Sequence, residues 1–162
     1  MTNKVLARSL AALGAAVVLG GTAVGVVGAQ HSARPANALF AVMNGEKEVS
    51  AEGDRGAGDR NGGGSFSALF DGNQLCYGMS VKNIDNPVAA HIHRGSRRVA
   101  GPVVVPLDQP TTGDPGTSSN CVDVRRRLAR AIRRDPNDFY VNVHTADFPN
   151  GAVRGQLFGK RR

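Results

Sequence analysis

Alternation of apolar and polar positions dominates the chain beyond residue 38 and predicts short β-strands. Residues 39–44 open the fold as a strand, and 45–49 continue from it. The runs 65–70 and 74–81 flank Asp71-Gly72-Asn73, where Asp and Gly tolerate the positive φ of a tight turn, and together predict an antiparallel hairpin. Residues 88–93 place Val88, Ala90 and Ile92 on one face, towards a core, and Ala89, His91 and His93 on the other. A β-branched run follows at 102–107, and 139–145 and 152–158 give two more strands around the turn Pro149-Asn150-Gly151. Between these runs, residues 52–64 hold six glycines with interspersed Asp and Arg and predict a solvated loop. That loop lacks the Gly-Lys-Ser/Thr ending and following helix of a phosphate-cradling loop. Residues 108–120, rich in Pro and Gly, predict another loop, leading to Cys121.

Helical spacing occurs at 123–134, where Val124, Leu128, Ala131 and Ile132 make one apolar stripe. Asp123 suits the amino end of that helix, Arg133 and Arg134 suit its carboxyl end, and Pro136 stops it. About seven short strands with one helix near the C-terminal end predict a mainly β fold, an antiparallel Greek-key-like β-sandwich.

Residues 1–29 have the form of an export signal. Lys4 and Arg8 are their only charges, residues 11–29 have none, and Val27-Gly28-Ala29 offers small residues for cleavage. An uncleaved anchor is the alternative, because the uncharged run approaches the length of a membrane span. With the signal cleaved, no stable span is expected. The remaining 133 residues make one domain, read as a linker at 30–38, a folded body at 39–159 and a basic tail at 160–162. Export places Cys76 and Cys121, the two cysteines of the chain, in an oxidising compartment and predicts a disulfide between them. Two thiolate metal ligands 45 positions apart would lack the close pairing of zinc sites.

The net charge is +7, and +5 once Lys4 and Arg8 leave with the signal. Much of it is concentrated in Arg125, Arg126, Arg127, Arg130, Arg133 and Arg134, with Lys160, Arg161 and Arg162 as a tail. The six arginines read either as the solvated face of the helix or as a patch for an anionic surface, such as envelope lipid or acidic wall polymer. Nucleic acid is not an expected partner, since the chain has no Trp and few aromatics to interleave with its cations, and export removes it from nucleic acid.

His91 and His93 leave the same face of one strand, and a neighbouring strand carrying His144 brings a third imidazole beside them. Three imidazoles on adjacent strands can form a first shell for copper or zinc, the cofactors this pattern allows. The plainer reading is that they hydrogen-bond one another, the backbone and nearby carboxylates on a half-buried face. The remaining histidine, His31, falls in the linker.

Ala90-His91-Ile92-His93-Arg94-Gly95, Gly101-Pro102-Val103-Val104-Val105, Tyr140-Val141-Asn142-Val143-His144-Thr145 and Gly151-Ala152-Val153-Arg154-Gly155-Gln156-Leu157, in that order, resemble the chordin-type (CHRD) domain. Glu48 and Val49 match its early Gly-x-x-Glu-Val element, with Ser50 where a proline usually follows. The resemblance covers residues 39–158 and implies an extracellular domain of the kind found in animal chordin and in many secreted bacterial proteins. It does not imply growth-factor binding, which chordin performs chiefly through cysteine-rich modules this chain lacks. A His-x-His strand with a later His is also similar to copper/zinc superoxide dismutase, without that family's further His and Asp ligands for zinc.

On the last strand Arg154 and Gln156 leave one face and Val153 and Leu157 the other, so Glu48 and Arg154 can pair beside the histidines, with Asn142 on the face of His144. Such a polar network either fixes strand register or orients the imidazoles around a ligand. No nucleophile and base pair, and no two convergent catalytic carboxylates, stand out in the sequence. The functional expectation is a secreted, non-enzymatic interaction or envelope-associated binding module, its partner a protein, an envelope polymer or an anionic surface. The alternative is a copper- or zinc-binding sandwich with dismutase-like redox chemistry.

Overall fold

The computed structural model describes residues 38–159. The expected export signal, residues 30–37 of the expected linker with His31, and the tail 160–162 lie outside the described residues, while Ala38, assigned to the linker, already belongs to the first strand. Nine strands follow in chain order: β1 (Ala38–Asn44), β2 (Gly63–Asp71), β3 (Gln74–Lys82), β4 (Pro87–Arg94), β5 (Val103–Leu107), β6 (Gly116–Asp123), β7 (Phe139–Thr145), β8 (Val153–Gln156) and β9 (Phe158–Gly159). The helix α1 (Arg126–Arg134) lies between β6 and β7. The fold is mainly β and antiparallel, as expected, with two more strands than the sequence pattern predicts.

The strands form one sheet in the order β5-β4-β7-β8-β1-β2-β3-β6, with β9 also paired to β1. The sheet curls into a barrel-like shape that nearly closes. Strand alternation explains its single core: Leu39, Ala41 and Met43 of β1, Phe66 and Phe70 of β2, and Ile92, Val141 and Val153 from β4, β7 and β8 all meet there. Burying each large apolar side chain contributes roughly 1.5–3 kcal/mol. Asp108, just past β5, links the two edge strands: its carbonyl accepts from Ser118 Oγ at 2.8 Å and its carboxylate from Asn120 Nδ2 at 2.7 Å, both on β6.

The hairpin of β2 and β3 closes as the Asp71-Gly72-Asn73 signal predicts, with Asp71 opposite Gln74 and Gly72 at φ +56°. Four local expectations are corrected. Residues 116–120, read as loop, belong to β6, whose polar side chains show no alternation and which is held by backbone pairing to β3. The final strand divides into β8 and β9, because β8 pairs with β7 whereas β9 pairs with β1. Residues 45–47 form a 3-10 turn, Gly45–Lys47, capped by Asn44 Oδ1 accepting from the Lys47 amide at 3.1 Å. The helix starts at Arg126 rather than Asp123, since Asp123 is still paired with Gln74 in the sheet. Its buried residues are Ala129 and Ile132, flanked by half-buried Leu128 and Ala131, while Val124 is buried ahead of the helix.

The outer face of β4, β7 and β8 is also covered. Every residue of β7 is buried. The expected loop 52–64 is accordingly neither all loop nor wholly solvated: Gly63 and Gly64 belong to β2, Gly58 and Gly62 are buried, and a Cβ on Gly58 would meet the Ala152 carbonyl at 2.5 Å.

Candidate functional site

Beneath that cover lies a polar layer built from alternate residues of three strands. β4 supplies His91 and His93, β7 supplies Tyr140, Asn142 and His144, and β8 supplies Arg154 and Gln156. Their neighbours Ala90, Ile92, Val141, Val143 and Val153 point the other way into the core. In contrast to the expected face, Val88 is exposed, beside an irregularity in the pairing of β4 with β7.

The register of β4 on β7 puts His91 opposite Asn142 and His93 opposite Tyr140. His91 Nδ1 lies 3.1 Å from His144 Nε2, and one ligand nitrogen from each of His91, His93 and His144 falls within 4.8 Å of the others. Two tautomers follow from the partners. His93 Nδ1 is 2.8 Å from the Gly101 carbonyl and His144 Nδ1 is 2.9 Å from the Pro149 carbonyl. A carbonyl can only accept, so each Nδ1 carries the proton and each neutral ring presents an Nε2 lone pair. Backbone carbonyls holding the distal ring N–H are the usual support for metal-ligating imidazoles. His93 Nε2 is buried and makes no hydrogen bond, with Asn142 as a polar neighbour.

Burial holds His91 below the ordinary imidazole range, and the nearby His144 and His93 add to this. Burial also lowers His93, partly opposed by its bond to Gly101. His93 stacks on Tyr140 with centroids 4.8 Å apart, and the Arg154 guanidinium lies 3.4 Å from the centre of the same tyrosine ring.

Glu48 and Arg154 come together as the pairing argument expects, both 1% exposed, with Arg154 Nη1 3.7 Å from Glu48 Oε1. Glu48 Oε1 also accepts from the Val49 amide at 2.9 Å, and Asn142 Nδ2 donates to Glu48 Oε2 at 3.4 Å. Burial nevertheless raises the Glu48 carboxyl above the usual range, against the pull of these donors. Arg154 Nη2 donates to the carbonyls of Ser96 and Val99 at 2.8 and 3.1 Å, and Gln156 Nε2 donates to that of Gly95 at 2.7 Å. The strand side chains thus grip the loop 95–101 from below.

Among the described residues, the buried side-chain atoms without a hydrogen bond are His93 Nε2, Asn142 Oδ1, Arg154 Nη1 and Gln156 Oε1, all in this layer. Such concentration of unsatisfied polar atoms is expected where a water, ion or ligand sits.

Cys76 and Cys121 form the expected disulfide, but they are direct cross-strand partners on β3 and β6, Cα atoms 3.9 Å apart. The bridge therefore joins two strands. It lies outside the polar layer. The arginines at 125–134 are also separate from it: Arg125, Arg126, Arg127 and Arg130 are exposed. Arg133 donates to the Gly72 carbonyl at 2.6 Å and lies over Phe70, and Arg134 pairs with Asp135 at 2.7 Å.

Sequence reasoning missed Tyr140 and the loop carbonyls. Tyr140 shares the face of Asn142 and His144 by strand alternation, so its place was available from spacing alone; the carbonyls of Ser96, Val99, Gly101 and Pro149 carry no side-chain signal.

Fold and site together define an antiparallel β domain, tied by one disulfide, whose covered outer face carries a histidine, amide and arginine cluster. The chain belongs to the CHRD domain family, whose model matches residues 39–157. No curated protein and no solved structure matches it significantly.

Proposed function

We propose that this CHRD domain is an exported binding module, acting in the cell envelope or outside the cell, and not an enzyme. The carrying observation is the use of the polar layer. Arg154, His93 and Tyr140 direct hydrogen bonds to the backbone of the loop 95–101, and Gln156 adds one to Gly95, which is how a rigid scaffold presents a recognition loop. The disulfide fits an oxidising compartment, and no described helix is long and apolar enough to cross a membrane. Cell fractionation should find the protein in envelope or medium, and the purified protein should bind envelope material without consuming it. Turnover of a defined substrate, lost in a folded His91→Ala or His144→Ala variant, overturns this reading.

A second reading, copper or zinc held by His91, His93 and His144, is favoured by one specific observation. Two of the three rings have Nδ1 held by backbone carbonyls, which leaves Nε2 as their ligand atom, and His93 Nε2 has no hydrogen bond. Elemental analysis and calorimetric titration with copper and with zinc test it. Equal binding by the triple Ala variant overturns it, and redox cycling of bound copper would extend it to dismutase-like chemistry.

A further inference from the structure

Lys47, Arg55, Arg97 and Arg98, from three separate segments, line one pocket of about 420 Å³ with Arg154. That volume is in the range of small-molecule sites. No acidic side chain lines it. Arg154 is already matched by Glu48, whereas none of the other four cations is in an ion pair among the described residues. The apolar part of the wall is Val42 and Phe158, both exposed.

The four charges are brought together by specific backbone contacts. Arg97 and Arg98 are the central residues of a β-turn closed by the Val99 amide donating to the Ser96 carbonyl at 3.0 Å. The buried Arg154 donates to both of those carbonyls' residues, Ser96 and Val99, and so holds the turn in place. Lys47 ends the 3-10 turn, its ammonium tied to the Val42 carbonyl at 2.7 Å, and Arg55 is opposite Val49 in an isolated bridge. Burial first, and then the nearby charges of Arg97 and Arg55, lower the Lys47 ammonium from its ordinary range.

The geometry points to a phosphate-binding pocket, one that takes the phosphate group of an ester with an apolar flank. The inference rests on the reading of this domain as a binding module and names the chemistry of its ligand. A carboxylate carries one charge, against four unmatched cations; a phosphate monoester carries about −1.5 to −2 with three acceptor oxygens. Guanidinium forks match those oxygens in pairs. Val42 and Phe158 would contact the apolar flank. A soluble phosphate monoester and the monoester headgroup of phosphatidic acid share this chemistry.

The test uses the purified protein and two kinds of probe. Inorganic phosphate and glycerol phosphate are titrated calorimetrically at low salt, and sedimentation is measured with phosphatidic acid vesicles against phosphatidylcholine vesicles. Arg55→Gln/Arg97→Gln/Arg98→Gln alters exposed side chains, and Arg126→Gln/Arg127→Gln/Arg130→Gln on α1 removes equal charge elsewhere. The pocket variant should weaken binding about tenfold or more, and the helix variant should leave it near wild type. Binding of the soluble phosphates assigns a soluble ligand; binding of phosphatidic acid vesicles without them assigns a lipid headgroup. Equal losses in both variants, or no binding of any probe, overturn the pocket. Envelope retention that persists in the pocket variant while no probe binds would overturn the pocket and leave the module reading standing, whereas substrate turnover would do the reverse.

Discussion

Glu48 and Arg154 are buried side by side, yet the closest approach of their charged atoms is 3.7 Å, and the Arg154 Nη1 facing that gap makes no hydrogen bond. The pair therefore cancels charge without direct hydrogen bonding, and Arg154 directs its other nitrogen to Ser96 and Val99. Removing the guanidinium would leave a buried carboxyl without its countercharge. Arg154→Ala should destabilise the domain by about 3–5 kcal/mol in urea unfolding. Arg154→Lys keeps a cation but loses the fork, so the Val99 amide should exchange its hydrogen faster than in wild type.

Stability should fall on the acid side of neutrality. His91 and His93 are held below their ordinary 6.5, so below that pH the unfolded chain binds more protons than the folded one and stability drops as pH falls. Glu48 acts in the opposite sense. Its carboxyl is raised above 4.5, so its contribution is present at low pH and lost as pH rises through the folded value. Urea unfolding between pH 4.5 and 7 should show the acid decline weakened in His91→Gln/His93→Gln and steepened in Glu48→Gln. An unchanged slope in the double variant would show that burial of these rings is not its source.

The convergence of His91, His93 and His144 was legible because it needs only two-residue alternation and one antiparallel neighbour, both carried by apolar patterning. β6 was not legible. Thr117, Ser118, Ser119 and Asn120 bury no apolar stripe, and backbone bonds to β3 hold them, which any sequence can make. Lys47, Arg55, Arg97 and Arg98 were hidden for another reason: Arg154 holds the turn of Arg97 and Arg98 by its carbonyls, the Val42 carbonyl holds Lys47 and a bridge to Val49 places Arg55, and such backbone groups are common to all residues.

The disulfide closes a 45-residue separation, for which the chain-entropy argument assigns about 4 kcal/mol. Cys76→Ser/Cys121→Ser should lower stability by that order. Non-reducing mass measurement should find the wild-type chain two hydrogens lighter than its reduced form; two alkylatable thiols in protein from the oxidising compartment would contradict the bridge.

Gly151 tests the packing under the polar layer. Its φ is +136°, and a Cβ there would strike the Glu48 carboxylate. Gly151→Ala should therefore destabilise by about 1–3 kcal/mol from backbone strain, with more from displacement of Glu48. A neutral effect would mean that Glu48 can leave its place freely.

Metal binding should reorganise one ring more than the others. Zinc bonded to imidazole at about 2.0–2.1 Å in a tetrahedral shell requires ligand nitrogens about 3.3 Å apart. The His91 and His144 nitrogens are already 3.1 Å apart, but the full set spans up to 4.8 Å, so the cluster must close. His93 is stacked on Tyr140 and bonded to Gly101, and His144 is bonded to Pro149, whereas His91 is half-exposed and bonded to His144. His91 is thus the ring expected to turn, giving up its bond to His144 as the metal enters. Imidazole nitrogen NMR during zinc titration should show the Nδ1–H of His93 and His144 retained while their Nε2 signals shift. Zinc at 100 times its Kd should add about 2.7 kcal/mol to unfolding stability, and nothing in the triple Ala variant. Unshifted Nε2 signals, or equal stabilisation of both proteins, would leave the trio as a hydrogen-bonded support for the loops above it.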